Sequence, residues 1–341
     1  MATAAPAPPP ALTFPRPIFA AVSPHPFLQA HLAANKAALR ANGRAAHEFR
    51  APGVNLGSLT HSNGSAVIRL GNTSVVCGVR AEMLREEDTP GTCAPAAVAA
   101  DGEVNDDDEE EEADEVESLG LLVPNIELST GSTPTHIPGN APTATAQSLI
   151  TRLRSLLYAT RLLRAADLRI THTPATNPED PDAAPETVVK GYWVLYLDVF
   201  FISIDGAAFD AAWLAVLAAL RNTRLPRAFY DDEFEGILCD DDVKQARTLR
   251  LRGLPVACSF AVFEGRGEGE GEKGEEWVLS DPDAFEEGVC KEVVTVTVDR
   301  EAIRRVEKSG GGVVGRGAMK GLVKRAGERW GVVEKAVEGR A

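Results

Sequence analysis

The feature that most restricts how this chain folds is a series of short apolar runs after Glu48, each closed by a turn sequence. Val54 to Leu59, Ala66 to Leu70 and Ser74 to Val79 are separated by Ser62-Asn63-Gly64 and by Gly71-Asn72. Runs this short, rich in β-branched residues and broken at Asn-Gly and Gly-Asn, form neighbouring strands joined by tight turns. An antiparallel meander is therefore expected over this segment, its register fixed by which side chains face a core. With 341 residues, 44% of them apolar, the chain can bury such a core in one large domain or two modest ones.

Around the meander the pattern changes several times. The first 26 residues carry eight prolines and, among side chains, only Arg16 as a formal charge. They read as a disordered tail and match neither a signal nor a transit peptide. Phe27 to Leu39 has loosely helical spacing and stops at Asn42-Gly43. Between Glu86 and Thr151 stand 16 acidic residues and no Lys or Arg; apart from them, a chain of net charge −15 is nearly neutral. The like charges of Asp106 to Glu112 repel one another, so 86–117 is expected as an inserted, mobile loop, with an acidic docking tail as the alternative. The nearly neutral remainder lacks the basic bias of a free-standing nucleic-acid binder.

Farther on, β character returns at Leu119 to Leu128, and a helix is expected from about Thr145 to Ala166. Leu149, Ile150, Leu153, Leu156, Leu157 and Leu163 form its apolar face. After the proline-rich 174–185 come a long strand from Val188 to Ile204 and a helix from about Ala207 to Asn222. Strands follow at Val256 to Phe263, Trp277 to Leu279 and Val293 to Val298, then a helix from about Gly317 to Val337. Strands then helix, twice, indicate an α+β fold in two halves, 27–185 and 186–341, with 264–276 as a Gly/Glu hairpin loop. The longest wholly apolar stretch, Ala211 to Leu220, is too short for a membrane helix. The five cysteines show neither a Cys-x-x-Cys pair nor an even count, so reduced thiols are expected.

One string says more. Arg40-Ala41-Asn42-Gly43-Arg44 leads to Phe49-Arg50, then Asn63-Gly64-Ser65-Ala66, then Gly71-Asn72-Thr73 and a further strand. In this order it resembles the opening of the RNase PH family, whose members carry Asp-Gly-Arg, Phe-Arg, a Gly-Ser-Ala strand and Gly-Asn-Thr. Leu122 to Leu128, Trp193 to Asp198, Pro255 to Phe263 and Asp281-Pro282 extend the similarity to most of the chain. Within the family, the chain is most similar to the non-catalytic ring subunits of the eukaryotic RNA exosome. The resemblance implies the RNase PH fold (ribosomal protein S5 domain 2-like) and a ring shared with other RNase PH-like subunits. It also implies S1/KH cap subunits, a separate 3′-5′ exonuclease, single-stranded RNA passing through, no cofactor, and residence in nucleus, nucleolus and cytoplasm.

Catalytic relatives resemble one another in a Gly-Thr-Arg loop entering a helix, where N–H groups and a guanidinium hold inorganic phosphate. The matching positions here are Ala207, Ala208 and Phe209, followed by Asp210, which is expected to repel the anion. The acidic residue that relatives carry after their Glu-rich turn is absent unless Glu292 replaces it. Thr135 to Asn140 stand where relatives have RNA-gripping arginines. No catalytic residue is therefore expected, and an active phosphate-dependent 3′-5′ exoribonuclease is the alternative.

Other candidates have plainer readings. Asp198, Asp205, Asp281 and Asp283 fit turn chemistry, and the six histidines lack metal-ligand spacing. Gly310 to Gly317 lacks the Gly-Lys-Ser/Thr ending of a nucleotide loop. Arg316, Lys320 and Lys324 recur every four residues and form a basic stripe, which is either a solvated face or a contact for RNA or an acidic partner.

Overall fold

The computed structural model describes residues 14–34, 38–89, 106–133, 136–137, 141–174, 187–267 and 273–339. Helices α1 (Arg16–Val22) and α2 (Pro24–Ala34) open it, so the segment expected as a tail is helical from Arg16. Prolines start both helices, where a missing N–H costs nothing. Helix α2 buries Phe27, Leu28 and Leu32 and ends at Ala34, short of Leu39, which forms a bridge with Ala45 instead.

Strands β1 (Pro52–Leu56), β2 (Gly64–Leu70) and β3 (Thr73–Arg85) form the antiparallel meander. Next come α3 (Asp106–Ser118), β4 (Leu122–Leu128), α4 (Ala144–Thr160), α5 (Ala165–Leu168), β5 (Arg169–His172), β6 (Val188–Ser203) and α6 (Ala208–Arg221). The sheet runs β1-β2-β3-β6-β4, with β5 also beside β6. This corrects the boundary at residue 185: β6 completes the first sheet, antiparallel to β3 and parallel to β4. Helix α4 stops earlier than its apolar spacing suggests, because Arg161 turns left-handed with φ 49°.

Part of the acidic segment is likewise ordered. Residues 106–118 are helical because arginines from elsewhere in the chain compensate the local repulsion. Glu115 accepts hydrogen bonds from Arg169 and from the Tyr192 hydroxyl, Glu112 lies near Arg164 and Arg169, and Val116 enters the core. Residues 90–105 lie outside the described part.

After α6, β7 (Arg224–Leu225), β8 (Ala228–Asp231), β9 (Gly236–Cys239) and β10 (Arg247–Thr248) make two small pairs, β8-β9 and β7-β10. Then follow β11 (Val256–Arg266), β12 (Lys273–Ser280), α7 (Ala284–Val289), β13 (Glu292–Asp299), β14 (Ala302–Ser309) and α8 (Arg316–Val337). The second sheet runs β12-β11-β13-β14. Both strands β11 and β12 extend into the Gly/Glu segment, whose tip lies outside the described residues.

Helix α6 is buried from Phe209 to Leu220 because it has sheet on two sides, β2 and β3 of the first and β11 of the second. Helix α8 packs on β13, β11 and β1, and one continuous core joins the two halves. Among the described residues no helix is long and apolar enough to cross a membrane. Cys77, Cys239, Cys258 and Cys290 are free thiols, and Cys93 is outside the described part.

Candidate functional site

The start of α6 depends on two consecutive residues with positive φ. Gly206 (φ 71°) faces the backbone of 282–283 so closely that a Cβ would lie 2.4 Å from the Pro282 carbonyl oxygen. Only glycine fits there. Ala207 follows at φ 48°, a conformation that costs a residue with a Cβ about 1–2 kcal/mol. This double turn starts α6 at the wall of an open cleft of about 480 Å³, lined by Ser148, Arg152, Ala207, Phe209, Glu287 and Thr295 among others.

A helix N-terminus attracts anions, and this one already has a carboxylate. Glu287 Oε1 accepts the Ala207 N–H at 2.8 Å. Burial raises the Glu287 pKa, and the Ala207 N–H bond opposes that rise. Phe209 is 4% exposed, with the Arg152 guanidinium stacked 3.8 Å from its ring centre. That guanidinium is engaged as well: Nε donates to Glu307 at 2.8 Å and Nη2 to the Thr295 hydroxyl at 3.3 Å. The cleft thus has a cation, but it is spread over an aromatic face and paired with a carboxylate.

Of the sequence candidates, Ala207, Ala208 and Phe209 line the cleft. Asp210 does not, which corrects the expectation that it repels an anion there. Its carboxylate turns inward, where Oδ2 accepts the Ser259 N–H and Oδ1 the Ser259 hydroxyl, both at 2.7 Å. The helical turn sends adjacent side chains in different directions, and Asp210 points toward the core. Glu292 is held by Lys308 and the Gly312 N–H and does not line the cleft. The loop expected to lack RNA-gripping arginines falls mostly outside the described residues, as 134–135 and 138–140 do. Arg316, Lys320 and Lys324 are exposed on α8, and none lines this cleft. Sequence reasoning missed Arg152 and Glu287. A basic residue on the polar side of a helix and one acid among several in a turn carry no local signal that they share a cleft.

Burial pushes the Asp210 carboxyl up to about 7, against the lowering effect of its Ser259 bonds. A carboxyl with a raised folded pKa binds its proton in the native state before the unfolded chain does. Stability from this group is therefore full below about pH 4 and is lost as pH rises toward 7, at up to about 1.4 kcal/mol per pH unit. Asp210→Asn removes that slope. Urea unfolding should show the variant gaining steadily on the wild type from pH 4.5 to about 7 and levelling off above that, and parallel curves over the whole range would refute the assignment.

Behind the cleft, the arginines of the 40–50 string tie it to residues more than 200 positions away. Arg50 donates from Nε and Nη2 to Asp281 at 2.8 and 2.6 Å, and its backbone N–H adds a third bond at 2.8 Å. Arg44 also reaches Asp281, and Arg40 is wholly buried against Glu286 and the Ser280 carbonyl. Asp283 caps α7 through a reciprocal pair of bonds with Glu286. Asp205 accepts from Asn72, and Asp198 from Asn125.

These contacts unite in three dimensions the residues that carry the sequence resemblance, and a comparison with known proteins agrees with them. Residues 48–226 match the family model of RNase PH, the 3′ exoribonuclease family, domain 1. This chain belongs to the RNase PH family. Among relatives, it is 29% identical over 302 residues to the exosome complex component rrp43 of Schizosaccharomyces pombe, covering 88% of this chain and 90% of that one. It is 25% identical over 275 residues to exosome complex component Rrp42 of Pyrococcus furiosus, covering 80% and 78%. Among solved structures, a chain of the Archaeoglobus fulgidus exosome with RNA bound to the active site superposes with a TM-score of 0.62 at 22% identity, covering 91% of this chain and 96% of that one. A chain of an archaeal exosome core gives 0.57 at 20% identity, covering 93% and 95%. The RNase PH fold expected from the sequence is therefore the fold of this chain.

Proposed function

We propose that this RNase PH chain is a ring subunit of an RNA exosome that supports 3′-5′ RNA processing without cleaving RNA itself. Ring membership is supported by similarity to exosome components along nearly the whole chain. The observation that carries the non-catalytic reading is the occupied helix terminus: Glu287 holds the Ala207 N–H where an incoming phosphate would need it. Beside it, Phe209 takes the position at which catalytic relatives have an arginine. A carboxylate already bonded at that N–H competes with an incoming anion and repels it, so phosphate binds poorly there.

In this reading the partners are other RNase PH-like subunits, S1/KH caps, a separate 3′-5′ exonuclease and the single-stranded RNA it receives. The work is rRNA maturation and turnover of mRNA and other RNA, in nucleus, nucleolus and cytoplasm. Affinity purification from the native cell tests the assembly: ring and cap subunits should co-purify, and their absence would end this reading.

Arg152 favours a second reading, that of a phosphate-dependent exoribonuclease, because a guanidinium does line the cleft. One assay separates the two. The purified chain, given RNA radiolabelled at its internal phosphates and inorganic phosphate, should release no labelled nucleoside diphosphate above a protein-free blank. Release that disappears in Arg152→Ala would establish the enzyme instead.

A further inference from the structure

A second cleft, of about 560 Å³, opens between α8 and the segment 47–51, and it shares no lining residue with the first. At its inner side lies Arg329, 8% exposed. Among the described residues the Arg329 side chain makes no hydrogen bond and has no carboxylate at ion-pair distance; it stacks on the Phe49 ring, 5.2 Å from the guanidinium carbon, and borders a small cavity shared with Asp210 and Asp281. The nearest buried acids are committed elsewhere, Asp281 to Arg50 and Arg44 and Asp210 to Ser259. Their charges still reach Arg329, but neither carboxylate bonds it, so a guanidinium set this deep with no side-chain N–H donor used inside the chain calls for a reason.

The surroundings supply a reason. Lys324 and Arg325 line the same cleft with His47, and the single acid there, Glu328, is 3.9 Å from Lys324. Arg325 is steadied by donating to the Val278 carbonyl at 3.2 Å. Three cations therefore face one carboxylate. From Lys324 the exposed line continues along α8 to Lys320 and Arg316, a cation about every 6 Å at four residues per step. A cleft of this size holds a phosphate with part of its nucleoside. A row of charges leading away from it suits a repeating anionic backbone better than a single carboxylate.

We propose that the α8 cleft is a binding site for the phosphates of single-stranded RNA, with Arg329 receiving one phosphate and Lys324, Lys320 and Arg316 the next along the strand. The RNA source rests on the proposed function, whereas the phosphate chemistry rests on the cleft alone.

Fluorescence anisotropy with a labelled 12-nucleotide uridine RNA and the full-length chain tests it. Lys324→Ala with Arg325→Ala, both on the surface, should weaken binding roughly ten-fold and reduce the salt slope by about 0.7 per lost phosphate contact. Arg329→Met should abolish the remaining site-specific binding while lowering the melting temperature little, because the fold loses no side-chain hydrogen bond or ion pair with it. Unchanged RNA affinity in the surface pair overturns the site even if the Arg329 variant fails to fold. A loss caused by Arg152→Ala instead places RNA in the first cleft and also overturns it. Inorganic phosphate that competes at millimolar concentration supports the chemistry. Protection by phosphate without RNA binding, or equal binding of a 12-residue glutamate peptide, overturns the assignment to RNA. All of these variants should still co-purify with ring partners, so loss of RNA binding and failure of the ring reading remain separate outcomes.

Discussion

Asp281→Asn should cost the fold roughly 3–5 kcal/mol at neutral pH, read as a large fall in the urea midpoint. The Asp281 side chain is 4% exposed, and that of Arg50, its partner, 9%. The carboxylate accepts three bonds from Arg50 and one from Arg44. Asparagine keeps the shape and tolerates the left-handed backbone at this position, φ 53°, so the substitution isolates the charge. It leaves Arg50 buried without a counter-ion and turns an amide N–H₂ toward guanidinium donors. Burial alone would raise the Asp281 pKa, yet the bonds and charge of Arg50 hold it below the ordinary carboxylate range. For a depressed carboxyl, the stabilisation is present above the unfolded pKa of about 4 and is lost as pH falls through the folded value. The gap between wild type and variant should thus be constant from pH 6 to 8 and close in strong acid. A loss under about 1 kcal/mol at pH 7 would mean that the arginines find other partners.

This cluster also shows why the sequence could be read as far as it was. Arg40, Arg44 and Arg50 stand within eleven residues, inside the ordered string that carries the family resemblance, so this part of the cluster is local in the sequence. Those partners, Asp281 and Glu286, are more than 200 residues away, and no local pattern reveals which buried carboxylate meets which arginine. The meander was legible because strand alternation and turn chemistry are local. The acidic helix α3 was not, because its stability comes from Arg164, Arg169 and Tyr192, which the chain brings to it only on folding. Strand β6 was seen as a strand but placed in the wrong half, since pairing with β3 and β4 is a tertiary choice. At the cleft, Phe209 was identified by position, while the direction of the Asp210 side chain depended on a buried Ser259 that the sequence leaves 49 residues away.

Trp213→Ala should destabilise the chain by about 3–5 kcal/mol, and it should do so in both halves at once. Trp213 is 1% exposed on α6, and its Nε1 donates to the Pro255 carbonyl oxygen at 2.6 Å, just ahead of β11. The same helix lies on β2 and β3, so truncation opens a void in the layer shared by the two sheets. Trp213→Phe fills most of that void but leaves the Pro255 carbonyl without its donor, and its cost should be about 1–3 kcal/mol. The remaining tryptophans report on both sides of α6: Trp193 on β6, Trp277 on β12 and Trp330 on α8. If α6 is the common core, fluorescence and far-ultraviolet circular dichroism should lose signal together, at one lowered midpoint. Two separated transitions would show instead that the halves fold independently and that α6 belongs to only one of them. The cleft at the start of α6 would then lie between units free to move apart, and the close approach of Glu287 to the Ala207 N–H would no longer be fixed by a single rigid core.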